Sequence, residues 1–408
     1  MMEGRPPRSP EIGVIGLVYH PWSRMHATVH PLLLRLADYY HVVYVDPPHQ
    51  WRDALRPRTP LDTSEEQRTH PGFQVYRPDR WLPRFYRPAW LAHLTFRARL
   101  RRARSLLAAR GCRRFVLYIF HPQFAGALDL LPHDLSCYHL EDEYSFSSEE
   151  QPISAEEAAL LARVDQVFIH SRALVAKKGQ LNPHTAQIPN GVDFAAYATP
   201  VDEPADLAHI PHPRIGYTGR IKRQLDWTLI AALAARRPEW SFVFVGAVNQ
   251  HPELAPVLDA LRRRPNVHFL GGKTTRELAA YPQHFDVCIM PYVLDAYTRY
   301  IYPLKLHEYL ASGRPVVGTP IPALEEFHDV VAVARTPDEW DAALAGYLAQ
   351  RDDPAAREAR RAVARRFDWD ALTAEIADTF AARLGIAPPA HPVRDVAEHE
   401  THACRATP

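Results

Sequence analysis

Lys305 and Glu308 stand three residues apart in the stretch YPLKLHEYLASGRPVVGTP, which runs from 302 to 320. Pro303 lacks the N–H that a first helical turn would orphan, and Gly313 suits a helix end. The spacing therefore predicts a short helix with both charged side chains on one face, about 4–5 Å apart along the axis. A cation in the first turn opposes the helix dipole unless an anion sits there. A carboxylate one turn on can accept two hydrogen bonds from a vicinal diol. A phosphate followed by ribose hydroxyls is what a nucleotide presents. The same spacing also suits a plain i,i+3 ion pair on a solvated face, worth roughly a few tenths of a kcal/mol.

A second basic group follows a glycine in GYTGRIKRQLDW (216–227). Gly219 lets the backbone approach a ligand, and Arg220 can grip phosphate with two N–H groups. Lys222 is two residues on. The run has neither the G-x-G-x-x-G nor the G-x-x-x-x-G-K spacing. Together with Lys305 it predicts cations from two loops of one domain converging on one diphosphate; taken alone, it is equally a turn with exposed basic residues. In YIFHPQF (118–124), His121 ends a strand, where it could polarise a hydroxyl or cap the next helix. In YHLEDEYSF (138–146), Glu141, Asp142 and Glu143 end another. Asp142 is the candidate base or orienting carboxylate there, although solvated loop acids are as common.

These residues need strand ends to hold them, and the chain supplies strands alternating with helices. Strand candidates are 11–19, 41–48, 114–120, 135–142, 165–171 and 185–193, with helices at 26–40, 89–111 and 154–164. Residues 49–72 read as loop. A proline-rich, aperiodic stretch at 194–214 reads as a linker. A second series then runs through strands at 214–219, 241–246, 266–271, 286–292 and 314–319, with helices at 226–237, 253–264, 275–281, 340–351 and 367–385. The pattern predicts an α/β protein of two doubly wound domains with parallel sheets and ligands at the strands' carboxyl ends. The expected division is 1–195, a linker at 196–213, a second domain at 214–366, a crossover helix at 367–385 and a disordered tail at 386–408. Two such domains face to face would form an interdomain cleft.

At 408 residues, two domains are the natural expectation. Composition is globular, 47% hydrophobic and 23% charged, and a net charge of +1 gives no field that would draw nucleic acid. Only five of the 48 basic residues are lysine, an arginine bias that fits a GC-rich bacterial genome. Cys112, Cys137, Cys288 and Cys404 form no C-x-x-C, which fits a reducing cytosol. The N-terminal residues lack a signal-peptide core, and no run of 18 apolar residues predicts a membrane span. Among the 22 histidines, HIPH (209–212) and HETH (399–402) are the densest clusters, and neither has companion ligands for a metal.

The order of GYTGRIK, SFVFVGAV, NVHFLGG, HFDVCIMPY and YPLKLHEYLASGRPVVGTP resembles the C-terminal domain of a GT-B glycosyltransferase. The likeness is to the retaining family 4, or group 1, that uses nucleotide sugars, and within it to the teichuronic-acid biosynthesis branch. HPWSRMHATVHPLLLRLADYYHVVYVDPP (20–48) and IPNGVD (188–193) resemble the first domain of that branch, so the resemblance spans 11–385. It implies the GT-B fold, with a C-terminal helix returning to the first domain. Arg220 matches the diphosphate-binding arginine after the Gly219 turn. Glu308 matches the second glutamate of E-x7-E, which holds the ribose, with Lys305 near the phosphates. Gly246 and the NVHFLGGK loop, with Phe269, fall where the family cradles the nucleotide, the base being held through the backbone. His121 matches a histidine-bearing strand end, and an acidic pair follows the strand before Asp142.

Three positions depart from the family. Tyr300 stands where the first glutamate would contact the donor sugar. Leu225 stands where a second phosphate-binding lysine would be, with Lys222 or Arg223 as substitutes. Only Gly16 remains of a Gly-Gly first loop.

The resemblance implies a transferase that needs no cofactor or metal. It would move a sugar from a UDP- or GDP-linked donor to a saccharide or lipid-linked acceptor in bacterial surface or exopolysaccharide synthesis. The expected location is cytoplasmic, with peripheral contact at the inner face of the plasma membrane. From Arg77 to Arg114 there are twelve arginines against one acid, Asp79, together with Trp81 and Trp90. Such a stretch suits anionic headgroups, and it equally suits an ordinary basic helix over a sheet. Two rivals remain: a nucleotide-sugar 2-epimerase-like isomerase, and a degenerate GT-B subunit without turnover.

Overall fold

A computed structural model of the chain describes residues 6–22, 28–50, 70–146, 149–249, 253–350 and 353–391. The chain forms two compact units. The first takes 1–189 and then Trp369–Arg394, and the second takes Asn190–Asp368.

The first unit is built on seven parallel strands: β1 (Ile12–Leu17), β2 (His41–Val45), β3 (Phe73–Tyr76), β4 (Arg114–Ile119), β5 (Leu135–Leu140), β6 (Gln166–Ile169) and β7 (Thr185–Gln187). Their order is β3-β2-β1-β4-β5-β6-β7. Every residue of β1 and β5 is buried, as a sheet covered on both faces requires. The covering helices are α1 (Val29–Leu36), α2 (Ala89–Ala108), α3 (Ala127–Leu130), α4 (Ala155–Arg163) and α5 (Arg172–Lys178). The Ser154 hydroxyl caps α4 by accepting from the Glu157 N–H at 3.1 Å.

The second unit has α6 (Phe194–Ala198), β8 (Arg214–Thr218), α7 (Trp227–Arg236), β9 (Ser241–Val245), α8 (Ala255–Arg262), β10 (Val267–Phe269) and α9 (Thr275–Leu278). It continues with β11 (Val287–Met290), α10 (Leu304–Ser312), β12 (Val316–Gly318), α11 (Pro322–Glu325), β13 (Ala332–Val333), α12 (Pro337–Ala349) and α13 (Pro354–Arg365). Its six parallel strands run β10-β9-β8-β11-β12-β13. The last helix, α14 (Trp369–Leu384), packs on α1 of the first unit. Asp370 accepts from Arg35 Nε at 2.6 Å, and the Tyr40 hydroxyl donates to the Ala377 carbonyl at 2.7 Å.

Several elements differ from the sequence reading. Strand β3 was not anticipated, because four residues at a sheet edge give too short a pattern to read. Helices α5 and α13 were not anticipated, although Ser171 and the Asp353-Pro354 pair are capping signals. The stretch at 194–214 is not a solvated tether. Tyr197, Leu207 and Ile210 are buried in the second unit's core, and Asp206 accepts from Lys273 Nζ at 2.6 Å and from the Tyr281 hydroxyl at 2.7 Å. Its apolar residues have no period because most of the segment is irregular. Asn190 Nδ2 donates to the Tyr302 carbonyl at 2.7 Å, which ties 190 to the second unit and puts the division before 195. Most of the 49–72 loop and of the tail, including Cys404 and the HETH cluster, lies outside the described residues.

Candidate functional site

In the second unit the strand order reverses between β8 and β11, and ligands of open α/β sheets bind where it does. The β8 strand ends at Thr218, and Gly219 takes a left-handed φ of +118° that a side chain would strain. Its N–H donates to the Val245 carbonyl at 2.8 Å, so the loops after β8 and β9 run together. A Cβ at Gly246 would collide with the Gly219 carbonyl. Both glycines are therefore required for two loops to close on one another.

Helix α10 delivers Lys305 and Glu308 to this point. Pro303 precedes its first turn, and Gly313 ends it at φ +78°. The Lys305 ammonium is partly buried, 3.3 Å from the Tyr292 hydroxyl and 5.1 Å from the Tyr217 ring centroid. Burial pulls its pKa down, but Tyr217, Tyr292, Tyr309 and Glu308 outweigh that, and it stands well above the ordinary lysine value. The ammonium is thus held charged in an aromatic cage. Burial raises the Glu308 carboxyl above its usual range, with Lys305 and Tyr197 opposing. Among the described residues, no ion pair within 4 Å joins Lys305 to Glu308, which sets aside the simple surface pair.

Around that pair the predicted residues separate. Arg220 is exposed beside Gly219, and its carbonyl accepts from the Tyr217 hydroxyl at 3.1 Å. Lys222 lies in the same loop, its carbonyl accepting from the Trp227 indole at 3.1 Å. Leu225, at the place of the family's second lysine, is a core residue bridged to Tyr292. Tyr300 is buried, with the Arg299 guanidinium 5.9 Å from its ring centroid. The Phe269 ring is stacked on Phe244 at 5.3 Å, at the end of β10. Tyr197 was missed because it lies in the supposed linker. Its buried hydroxyl has no hydrogen-bond partner of ordinary geometry, yet it lies close enough to Glu308 for each to shift the other.

The first unit reverses its strand order between β1 and β4, and a cavity of about 280 Å³ opens there. Tyr19 and His20 follow β1, His121 follows β4, and Glu141, Asp142 and Tyr144 follow β5. His121 does cap the next turn: its Nδ1 accepts from the Gln123 N–H at 3.2 Å. Burial, then Arg84 and His20, lower its pKa to about 4. The ring is therefore neutral at pH 7, with Nδ1 an acceptor and the proton on Nε2. Tyr19 stacks on it at 4.8 Å, and Tyr144 meets it edge-on at 4.7 Å. Glu141 is pushed up to about 8 by burial and by Asp142. Asp142 is exposed, and its Oδ1 accepts from the Glu143 N–H at 2.8 Å.

Glu143 lies outside this cavity lining and is structural. It is buried with Lys178 Nζ at 2.6 Å, and Lys178 also reaches Glu157 at 2.8 Å. Gly16 is likewise a packing residue, inside β1, where a Cβ would stand 3.0 Å from Leu33. Among the described residues, no group of three His, Cys, Asp or Glu side chains could hold a metal ion, and no helix is long and apolar enough to cross a membrane.

Residues 212–351 match the family model described as glycosyl transferases group 1. TuaH of Bacillus subtilis strain 168, named as a teichuronic acid biosynthesis glycosyltransferase, is 31% identical over 236 residues. That match covers 55% of this chain and 58% of TuaH, little more than half of each. A solved structure described as trehalose-6-phosphate from E. coli bound with UDP-2-fluoro glucose matches 92% of this chain and 99% of its own, with a TM-score of 0.62 and 14% identity. An α,α-trehalose-phosphate synthase (UDP-forming) from Burkholderia vietnamiensis matches 92% of this chain and 98% of its own, with a TM-score of 0.58 and 16% identity. At such identities the likeness is one of fold, and the fold is GT-B.

Proposed function

We propose, from a GT-B fold whose second unit matches the group 1 glycosyl transferase model over 212–351, that this chain is a glycosyltransferase. It moves a sugar from a UDP- or GDP-linked donor to a hydroxyl of a saccharide or lipid-linked acceptor. Its likeness to TuaH supports a place in bacterial surface or exopolysaccharide synthesis. The location that goes with this reading is the cytoplasm, at the inner face of the plasma membrane.

The observation that carries this reading is the caged ammonium of Lys305 beside the Gly219 turn, with Glu308 one turn on and unpaired to it. Lys305, Arg220 and Lys222 neutralise the leaving diphosphate, and Glu308 accepts from the ribose diol. Positive side chains supply this charge, so neither a metal nor an organic cofactor is required. In the first unit, the Nε2–H of His121 and the carboxyls of Glu141 and Asp142 bind and orient sugar hydroxyls, with Asp142 the base candidate.

Calorimetric titration with UDP, GDP, TDP and ADP tests the donor grip. One nucleotide should bind the wild type, and Lys305→Ala and Glu308→Ala should each weaken it at least about tenfold, the loss of one charge-assisted contact. Unchanged binding in both variants would remove the reading's central residues. Tyr300, a phenol where the resemblance expects a carboxylate, keeps one rival: a nucleotide-binding subunit without turnover. Release of free UDP or GDP from a nucleotide sugar in the presence of acceptor decides between them.

A further inference from the structure

Large side chains are seldom left in water without a reason, and in this chain they are concentrated. Trp81 is 89% exposed, Trp90 68%, Tyr86 59% and Leu94 57%, all within fourteen positions of the first unit. On α2, the residues 90, 94, 97 and 101 follow helical spacing and share one face, opposite the buried Thr95, Arg99, Ala103 and Leu107. That outer face reads Trp, Leu, Arg, Arg. Arg80, Arg87, Arg97, Arg101 and Arg102 are exposed around it, and Asp79 is the one acid between Arg77 and Arg114.

The loop that carries Trp81 is fixed to the helix rather than loose. Arg99 is buried and donates from Nη1 to the carbonyls of Leu82 at 3.1 Å and Pro83 at 2.9 Å. Arg84 donates to the Gln123 side chain at 2.8 Å and covers the Tyr86 ring at 4.8 Å. Two indoles are thus held out in water by a braced scaffold. Folding gains nothing from that arrangement, whereas a partner does.

We propose that the Trp81–Trp90 face of the first unit is a docking surface for an anionic phospholipid bilayer. Indole rings settle at the boundary between headgroups and acyl chains, which a protein groove or a free phosphate does not offer. The exposed arginines on the same face meet the negative surface potential of the leaflet. A lipid surface is broad and flat, and it can take a loop indole and a helix indole together. The inference extends the proposed function, since it would bring the chain to a lipid-linked acceptor, but it rests on its own residues.

The test is co-sedimentation of the full chain with vesicles of phosphatidylcholine alone, and of phosphatidylcholine and phosphatidylglycerol in equal parts, at low and high salt. The wild type should bind the anionic vesicles only, and salt should weaken that binding. Trp81→Ala/Trp90→Ala should lower the partition at least about tenfold. Arg97→Glu/Arg101→Glu should remove the dependence on the anionic lipid. UDP and GDP titrations of the same variants should match wild type, which separates failure of this surface from failure of the transferase reading. The proposal is overturned if wild type stays in the supernatant with anionic vesicles at low salt, or if the tryptophan variant binds them as well as wild type. Sedimentation velocity showing a dimer that the tryptophan variant loses, without vesicle binding, would assign the face to a second copy instead.

Discussion

Lys305 lies over Gly219: a Cβ built on that glycine would stand 3.1 Å from the lysine's Cε and 3.2 Å from its Nζ. Gly219→Ala should therefore act twice. The left-handed φ should cost about 1–3 kcal/mol in stability, read by denaturant unfolding. The displaced ammonium should weaken nucleotide diphosphate binding about as much as Lys305→Ala does. Full affinity in Gly219→Ala would mean that the lysine's place does not matter.

Tyr197 and Glu308 make a pH prediction. Burial raises the Glu308 carboxyl, and Tyr197 works against that rise. Tyr197→Phe should let Glu308 keep its proton to higher pH. Carboxyl carbon NMR, with the Glu308 resonance identified by its loss in Glu308→Gln, should show the titration midpoint move up. A midpoint identical to wild type would reduce Tyr197 to a packing residue.

Glu141 links the first unit's cavity to stability. Its folded pKa of about 8 lies above the unfolded value of 4.5, so the folded state holds a proton that the unfolded state has lost between those pH values. Its contribution is full below about pH 4.5 and is lost as pH rises through about 8. Glu141→Gln should match wild type near pH 5 and exceed it in thermal stability by pH 8, with an upper bound of roughly 5 kcal/mol. A constant difference across that window would show that Glu141 does not titrate there.

His121 should give a different profile. It loses its proton around pH 4, so it should place no inflection between pH 5 and 8 in the rate of sugar transfer. His121→Ala should lower kcat/KM by about a hundredfold or more if its Nε2–H touches the reacting sugar. Its stability cost should stay near about 1 kcal/mol, the worth of one cap.

Lys178 is fully buried between Glu143 and Glu157. Its removal leaves Glu157 without its lysine and Glu143 with Lys177 alone, at 3.1 Å, so Lys178→Ala should destabilise the chain by roughly 3–5 kcal/mol. Because Glu143 also accepts from the Ser145 N–H at 2.7 Å, the loop that carries Asp142 and Tyr144 should loosen with it. Faster amide exchange at 141–146 would record that loosening.

The sequence by itself determined the alternation of strands and helices, the two parallel sheets and the place of Lys305, Glu308 and Gly219. Each follows from a local rule: apolar runs between turn residues, a proline before a helix, a glycine after it. It also carried His121 and the acids after β5, since strand ends hold ligands in such sheets. Only the tertiary structure decided which of those residues act together. Tyr197, Tyr217 and Tyr292 surround Lys305 and Glu308 from three separate elements, and no spacing along the chain encodes that meeting. The same holds for charge. Glu141 and Glu143 are two residues apart in one loop, and burial pushes both up. At Glu143, however, Lys178, helped by the Ser145 N–H and Lys177, outweighs burial and holds the carboxyl below its ordinary value. What separates them is a lysine 35 positions away, brought there by folding.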